Sequence, residues 1–415
     1  MGREAILMTF SAKTIMIKNT NIVDAANSKI IENQNVIVDD SHIKEISGTT
    51  PGSEVFHVVD GEKRYLMPGI ADLHVHLNWD GGPDPRQAVL QEGAKVAVLR
   101  AYRHALDHLK MGVTTLLDVG SMDDLAIDLA SAIRRNVVFG PHLYATGRII
   151  CIIGGHGAGL GYEISGRDDA LRATRTLIKR GADMIKIAAT SGAYGSFGAE
   201  KLEAIQLDPE EILTITSEAR KYGIKVTAHA LNLEGIRNCV DNGVSIIQHG
   251  AFLDKSTARL MAQKGVFLVP TLLVYRKLAE GAPGVMPEAV SKAREVVRHH
   301  REAFLNALEA GVKIAGGTDV YSPNFGPHPR IIDEAITMGE YGMSNSEVIR
   351  AITLNASEAL GTHRTRGRVE EGMEADLVLL RGNPLEDLNN LKKVERVFLD
   401  GVEIDPHTTR DPLTL

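Results

Sequence analysis

Six residues able to ligate a metal or move a proton stand far apart in this chain: His74, His76, Lys186, His229, His249 and Asp319. Each lies at or near the end of a short apolar run, in LHVHL, MIKIAAT, VTAHA, IIQHG and KIAGGTD. His74 and His76 form an H-x-H pair, and the two-residue period of a strand puts both imidazoles on one side. Imidazole suits zinc and related divalent ions. A carboxylate at position 319 ligates such an ion or takes the proton of a bound water; its structural alternative is capping a helix or ordering a turn. Taken singly, His229 and His249 read first as satisfied interior or surface histidines. Taken jointly, the set predicts one cage for two divalent ions. Two close cations lower the pKa of water and hold the resulting hydroxide, which is hydrolytic chemistry.

Lys186 sits inside an otherwise apolar strand, where burying an ammonium is costly unless it is paired or modified. It reads either as a lysine satisfied by a nearby acid or as one carboxylated by carbon dioxide. The carbamate has two oxygens and would bridge two metals that otherwise lack a bridging carboxylate. A Schiff-base lysine fits less well beside so many metal ligands.

Such a cage needs a scaffold that gathers the ends of many runs. From LMPGIADLHVHL to about position 360, strand-like segments alternate with helical ones: TTLLDVG, HLYATG, MIKIAAT, KVTAHA, SIIQHG, FLVPTLL and KIAGGTD each precede a helical stretch. Eight β-then-α units predict a (β/α)8 TIM barrel, and right-handed crossovers put every strand's carboxyl end on one face. The alternative is an open doubly wound sheet, but the glycine-rich segments lack its dinucleotide fingerprint. The first 65 residues and the last 45 are β-rich, broken by Asn, Asp and Gly. They predict a small β-sandwich domain built from both ends, with two independent β appendages as the alternative. The expected boundaries are 1–65, 66–365 and 366–415.

A net charge of -7, with no basic block, argues against a nucleic-acid partner. The two cysteines, Cys151 and Cys239, form neither a disulfide framework nor a sulfur-based metal site. No run approaches the roughly 20 apolar residues of a membrane span. The start, MGREAILMTFSAKT, lacks the long apolar core of a secretion signal. A cytoplasmic protein is expected.

The motifs LMPGIADLHVHL, MIKIAAT, VTAHA, IQHG and GGTD, with the returning GRVEEGMEADLVLLRGNPLEDL, resemble the amidohydrolase superfamily over nearly the whole chain. The resemblance is to its imidazolonepropionase-like and metal-dependent Xaa-Pro or Xaa-Arg/Lys dipeptidase branch. It implies two divalent metal ions per chain, with zinc expected. His74, His76 and Asp319 would bind one, His229 and His249 the other, and carboxylated Lys186 would bridge them beside a hydroxide. It also implies self-association as a homo-oligomer.

Asp319 would accept the nucleophile's proton and deliver one to a leaving amine. His156, in GRIICIIGGHGAGLGY, matches a histidine that contacts substrate in related dipeptidases; loop ordering is its other role. Where some of those enzymes have HAY, this chain has HALN. Leu231 cannot make the tyrosine's hydrogen bond, so Asn232 is a substrate contact or a helix cap. Tyr194, Tyr275, Tyr321 and His328 are further substrate-contact candidates, each with packing or surface exposure as the alternative. Arg148 reads as a carboxylate clamp or an internal ion pair. The expected substrate is a dipeptide or N-acyl amino acid. A cyclic amide, carbamate, urea or aryl amide is the next reading, then deamination. A non-catalytic metal protein would need a closed coordination shell, and no phosphate-binding P-loop points to an ATPase.

Overall fold

The computed structural model describes residues 14–49, 57–194, 201–326 and 329–406. In chain order the strands begin with β1 (Thr14–Asp24), β2 (Lys29–Asp39), β3 (His42–Ser47), β4 (His57–Asp60) and β5 (Tyr65–Pro68). There follow β6 (Ile70–Val75), β7 (Val113–Asp118), β8 (His142–Ala145), β9 (Ile150–Ile152), β10 (Tyr162–Ile164) and β11 (Met184–Ala188). Then come β12 (Lys225–Ala230), β13 (Ile246–His249), β14 (Phe267–Val269), β15 (Leu377–Leu380), β16 (Val394–Leu399) and β17 (Val402–Ile404). The described chain divides into two units, one drawn from 1–71, 108–114 and 344–415, the other from 72–107 and 115–343.

The first unit is organised by a mixed eight-stranded sheet, in the order β17-β16-β15-β5-β1-β2-β3 with β4 also on β1. β15 runs antiparallel to β5, with Leu377 opposite Pro68 and Leu380 opposite Tyr65. The two chain ends are therefore one structure, not separate appendages. They share one hydrogen-bonded sheet because β1 serves both groups: it pairs with β2 and also with β5, which carries the C-terminal strands. Ile15, Ile17, Val36, Val38, Leu66, Leu377, Leu379 and Phe398 pack into a common apolar core.

The second unit holds the alternating segments. β9 and β11 to β14 form a parallel run with β10, and β7 pairs with β8 in parallel. β7, β11 and β13 are buried at every position, as expected of parallel strands covered on both faces. Backbone bonds continue between these runs: Val119 N donates to Val75 O, Thr146 N to Asp118 O, and Asp183 N to Ala145 O. This is an α/β architecture consistent with a (β/α)8-type arrangement. Two features depart from expectation. The segment after β8 contributes two extra short strands, β9 and β10, which frame the His156 loop. KIAGGTD is not a regular strand; it is an extended segment bonded on both sides. Leu268 N donates to Lys313 O, and Ala315 N to Leu268 O. On the other flank Leu73 N donates to Gly316 O, and Asp319 N to His74 O at 2.7 Å.

The helices used below are α1 (Pro85–Glu92), α2 (Ala94–Lys110), α3 (Leu125–Arg134), α4 (Arg167–Arg180), α5 (Pro209–Arg220) and α6 (Leu233–Asp241), followed by α7 (Lys255–Lys264), α8 (Leu272–Glu280), α9 (Pro287–Glu309) and α10 (Ile331–Glu340). Among the described residues no helix is long and apolar enough to cross a membrane. Cys151 and Cys239 are free and buried.

The close seating of the 313–319 segment depends on Gly317. A Cβ there would lie 2.4 Å from Val269 Cγ1 and 3.0 Å from the backbone N of His74. Gly317→Ala is therefore expected to destabilise the protein by roughly 1–3 kcal/mol through overpacking. The denaturant midpoint of the variant against wild type measures it.

Candidate active site

β6 ends on the H-x-H pair, β11 carries Lys186, β12 and β13 end on His229 and His249, and the 313–319 segment ends on Asp319. All six line one pocket. His74 Nε2 and His76 Nε2 lie 3.4 and 3.3 Å from the same Asp319 oxygen, Oδ1. The imidazole centroids of His74 and His249 are 5.1 Å apart, and those of His229 and His249 4.6 Å. Donor atoms of His74, His249 and Asp319 all fall within 4.8 Å of one another.

The hydrogen bonds behind the rings decide which nitrogen each can offer. His74 Nδ1 meets Gln248 Oε1 at 2.8 Å, His76 Nδ1 meets Gly120 O at 3.0 Å, and His249 Nδ1 meets Thr271 Oγ1 at 2.7 Å. These three leave Nε2 available. His229 is reversed: its Nε2 meets Ser191 O at 3.0 Å, leaving Nδ1. Bonding one ring nitrogen to an oxygen fixes the tautomer and orients the other toward a metal. This is the arrangement a divalent-metal site requires, and the nitrogen-oxygen donor set fits one.

The electrostatics agree. Burial holds His74, His229 and His249 well below the usual imidazole range, assisted by the Lys186 charge, so all three are neutral at neutral pH, the form a metal ligand needs. Burial alone would raise Asp319; the neighbouring His74 and His76, with the Ser322 hydroxyl donating at 2.8 Å, outweigh it and hold the carboxyl well below its ordinary value. Lys186 is 2% exposed. Burial pushes its amine down to about 7, opposed by Asp319. A lysine with a substantial neutral fraction at neutral pH has the nucleophilic amine that carboxylation needs.

The other candidates separate clearly. His156 lines the pocket and stacks on His229 at 4.0 Å, and burial with the Lys186 charge lowers it to about 4. Tyr194 and Tyr275 also line it. Arg148 does not face the pocket: it pairs with Asp123 at 2.8 Å and Asp124 at 3.9 Å, and lies over the Tyr162 ring. It is an internal ion pair because the αL backbone at Asp123 and Asp124 turns two carboxylates toward it. Asn232 is a cap, its Oδ1 accepting from Gly235 N and its amide donating to Leu202 O and Ala204 O. Tyr321 is fully buried, stacked on His104 at 3.8 Å and away from the pocket. His328 lies outside the described residues.

The pocket also contains residues the sequence reading passed over. Trp79, the chain's single tryptophan, stacks on His76 at 4.5 Å and 16°. Its place three residues after the H-x-H pair was the available signal. Arg86, on α1, lines the pocket as well. Its guanidinium rests against the His156 loop: a Cβ on Gly159, at φ +82°, would lie 2.5 Å from one of its terminal nitrogens. Only a glycine accommodates both that backbone and that approach.

The amidohydrolase family model matches residues 65–404, and the chain belongs to the amidohydrolase family. It is a metal-dependent amidohydrolase of the imidazolonepropionase and Xaa-Pro dipeptidase-like branch. The chain is 29% identical over 363 residues to the ochratoxinase of Aspergillus niger, covering 80% of this chain and 73% of that one. It resembles a solved Xaa-Pro dipeptidase with bound methionine in the active site, with TM-score 0.87 and 30% identity over 94% of this chain and 100% of that one. The imidazolonepropionase of Clostridium tetani (strain Massachusetts / E88) is 23% identical over 430 residues, 91% of this chain and 92% of that one.

The buried His104 beneath the site sets an acid limit on stability. Its Nδ1 lies 2.8 Å from Leu77 O, and burial lowers its pKa to about 4. The unfolded value is about 6.5, so the unfolded state takes up the proton first. Its stabilising contribution is complete above about pH 6.5 and is lost as pH falls toward 4. From pH 7 to pH 5 this residue should cost about 2 kcal/mol. His104→Phe, which keeps the ring stack, is expected to flatten that part of the urea-unfolding free energy against pH.

Proposed function

We propose that this chain hydrolyses the amide bond of a substrate bearing a free carboxylate, a dipeptide or an N-acyl amino acid. The observation that carries this reading is Arg86. Most of the pocket wall is apolar, with Trp79, Ile149, Leu160, Val274 and Leu278 among its residues. Among the described lining residues, the cationic side chains apart from histidine are Lys186, deep among the metal-ligating candidates, and Arg86 near the His156 loop. A guanidinium on the pocket wall can hold a substrate carboxylate with paired hydrogen bonds.

We further infer that the eight β-then-α segments close into a barrel and that His74, His76, His229, His249, Asp319 and carboxylated Lys186 hold two divalent ions, zinc first among the candidates. Such ions would supply Lewis-acid polarisation of the scissile carbonyl and acidification of water. The chain's own residues do the rest. Asp319, ionised at neutral pH and beside both first-strand histidines, accepts the proton of the attacking water and passes one to the leaving amine. His156 is neutral at neutral pH, so it contributes an N–H toward the carbonyl oxygen rather than a charge toward the carboxylate. Arg86 orients the carboxylate, and Trp79 and the aliphatic wall exclude water around the acyl group.

Hydrolysis by metal-loaded protein of a mass-resolved panel of dipeptides, N-acyl amino acids, cyclic amides, carbamates and aryl amides tests the reading. Turnover concentrated on carboxylate-bearing amides is expected. Arg86→Met should raise KM for these about 10- to 100-fold with a smaller change in kcat, consistent with loss of a charge-assisted anchor. Preference for neutral or cyclic compounds, unchanged in Arg86→Met, would overturn the substrate assignment in favour of the cyclic-amide or carbamate reading. Lys186→Ala should remove most activity and metal; full retention of both would end the bridged-metal assignment.

A further inference from the structure

We propose that Glu334 is a positioning residue for His249, acting through Thr271; this rests on the reading that His249 holds a metal. Thr271 immediately precedes α8 and would ordinarily cap it with its own hydroxyl. It does not: the side chain makes no cap bond, and the backbone sits in the left-handed region at φ 47° and ψ 51°. That conformation disfavours a β-branched residue. The hydroxyl points instead to His249 Nδ1, 2.7 Å away.

The first N–H groups of α8 would then be orphaned in a buried site. Glu334, on α10 and 0% exposed, takes them: Oε1 accepts from Leu272 N at 2.7 Å and Oε2 from Leu273 N at 2.8 Å. Burial pushes this carboxyl up to about 8 against the pull of those two amides. Both oxygens accept, which is the geometry of a carboxylate capping a helix N-terminus. A carboxylate borrowed from another helix thus does the capping, and the threonine hydroxyl is released to orient the imidazole. The main chain of His249 is held separately, since His300 Nε2 donates to His249 O at 3.1 Å. Glu334 therefore governs the ring and its tautomer, not the path of the strand.

The test uses the full chain. Glu334→Gln sets an amide NH2 against one of the two backbone donors. Thr271 should return to an extended cap, giving its hydroxyl to α8 and abandoning His249. Zinc affinity, read by competition with a chromophoric chelator, should weaken about 10- to 100-fold. Thr271→Val, isosteric without the hydroxyl, should weaken it similarly, and Thr271→Ser should restore it. The double variant Glu334→Gln/Thr271→Val should be no weaker than the weaker single one, since both act on one bond. Additive losses, or wild-type affinity in folded Glu334→Gln, would overturn the proposal. Should Glu334→Gln fail to fold, Glu334→Asp keeps the carboxyl group but cannot reach both amides. It should lose affinity partway, and full affinity there would equally overturn the proposal. A metal-free readout separates this from the functional reading. In apo protein with 15N-labelled histidine, long-range 15N–1H NMR should show His249 with its proton on Nδ1 in wild type and a tautomer mixture in the Glu334 variants. If wild type binds no divalent ion, the bridged-metal reading fails, while an unchanged tautomer in the variants refutes the role of Glu334.

Discussion

The structure turns on the burial of six metal-ligating or proton-moving groups at the ends of apolar strands. An ammonium, a carboxylate and four imidazoles cannot be packed together in a low-dielectric interior unless their charge is suppressed or balanced. The proton affinities of His74, His229, His249 and Lys186 are driven down, and that of Asp319 is held low by the adjacent His74 and His76. What results is a set of lone pairs facing one another. Such a set is unfavourable without a cation to accept them, and a bound divalent ion would relieve that cost.

That constraint extends outward into the backbone. His249, Thr271 and Asp319 all have positive φ, at 73°, 47° and 61°. Non-glycine residues in this region are strained, and they persist where surrounding bonds over-determine them. Here the determining bonds are visible: His300 on the carbonyl of His249, Glu334 on the helix after Thr271, and His74 O accepting from Asp319 N. The bonds behind the ligating groups thus do two jobs, choosing a tautomer and enforcing a backbone that a free peptide would leave.

How much of this was legible in the sequence depended on how local each signal was. The two-residue period of a strand put His74 and His76 on one side, whereas His229 and His249, each ambiguous singly, joined them only through the expected β-then-α topology, which gathers strand ends on one face. The seventh and eighth units were harder. KIAGGTD reads as a strand, yet Gly316 and Gly317 let it lie between β14 and β6 without regular assignment. Arg148 and Arg86 show the limit more sharply. Both follow strands of the second unit, and a guanidinium carries no pattern that reveals its partner. Arg148 is claimed by Asp123 and Asp124, which only the αL turn brings near. Arg86 reaches the pocket because glycines in the His156 loop make room, a contact between segments about 70 residues apart. Asn232 failed differently: its local capping role, predictable from position, outweighed the family analogy. Glu334 carried no signal at all, since it acts on a helix 60 residues upstream.

The contrast between the two ends of the pocket explains why metal chemistry and substrate choice separate in this chain. At the floor, each of the four imidazoles and Asp319 is fixed by a hydrogen bond. At the mouth lie an arginine over a glycine loop, a tryptophan stacked on His76, and aliphatic walls, and contacts of the last kind discriminate between acyl groups by only a few kcal/mol. Apolar contacts tolerate many acyl shapes, whereas a guanidinium recognises an anion by directed, charge-assisted hydrogen bonds. Under the proposed function, such a site would accept variety on the acyl side of the scissile bond and require charge on the other. That asymmetry lets a single metal-hydrolase scaffold change its substrates by altering its loops while its floor stays the same.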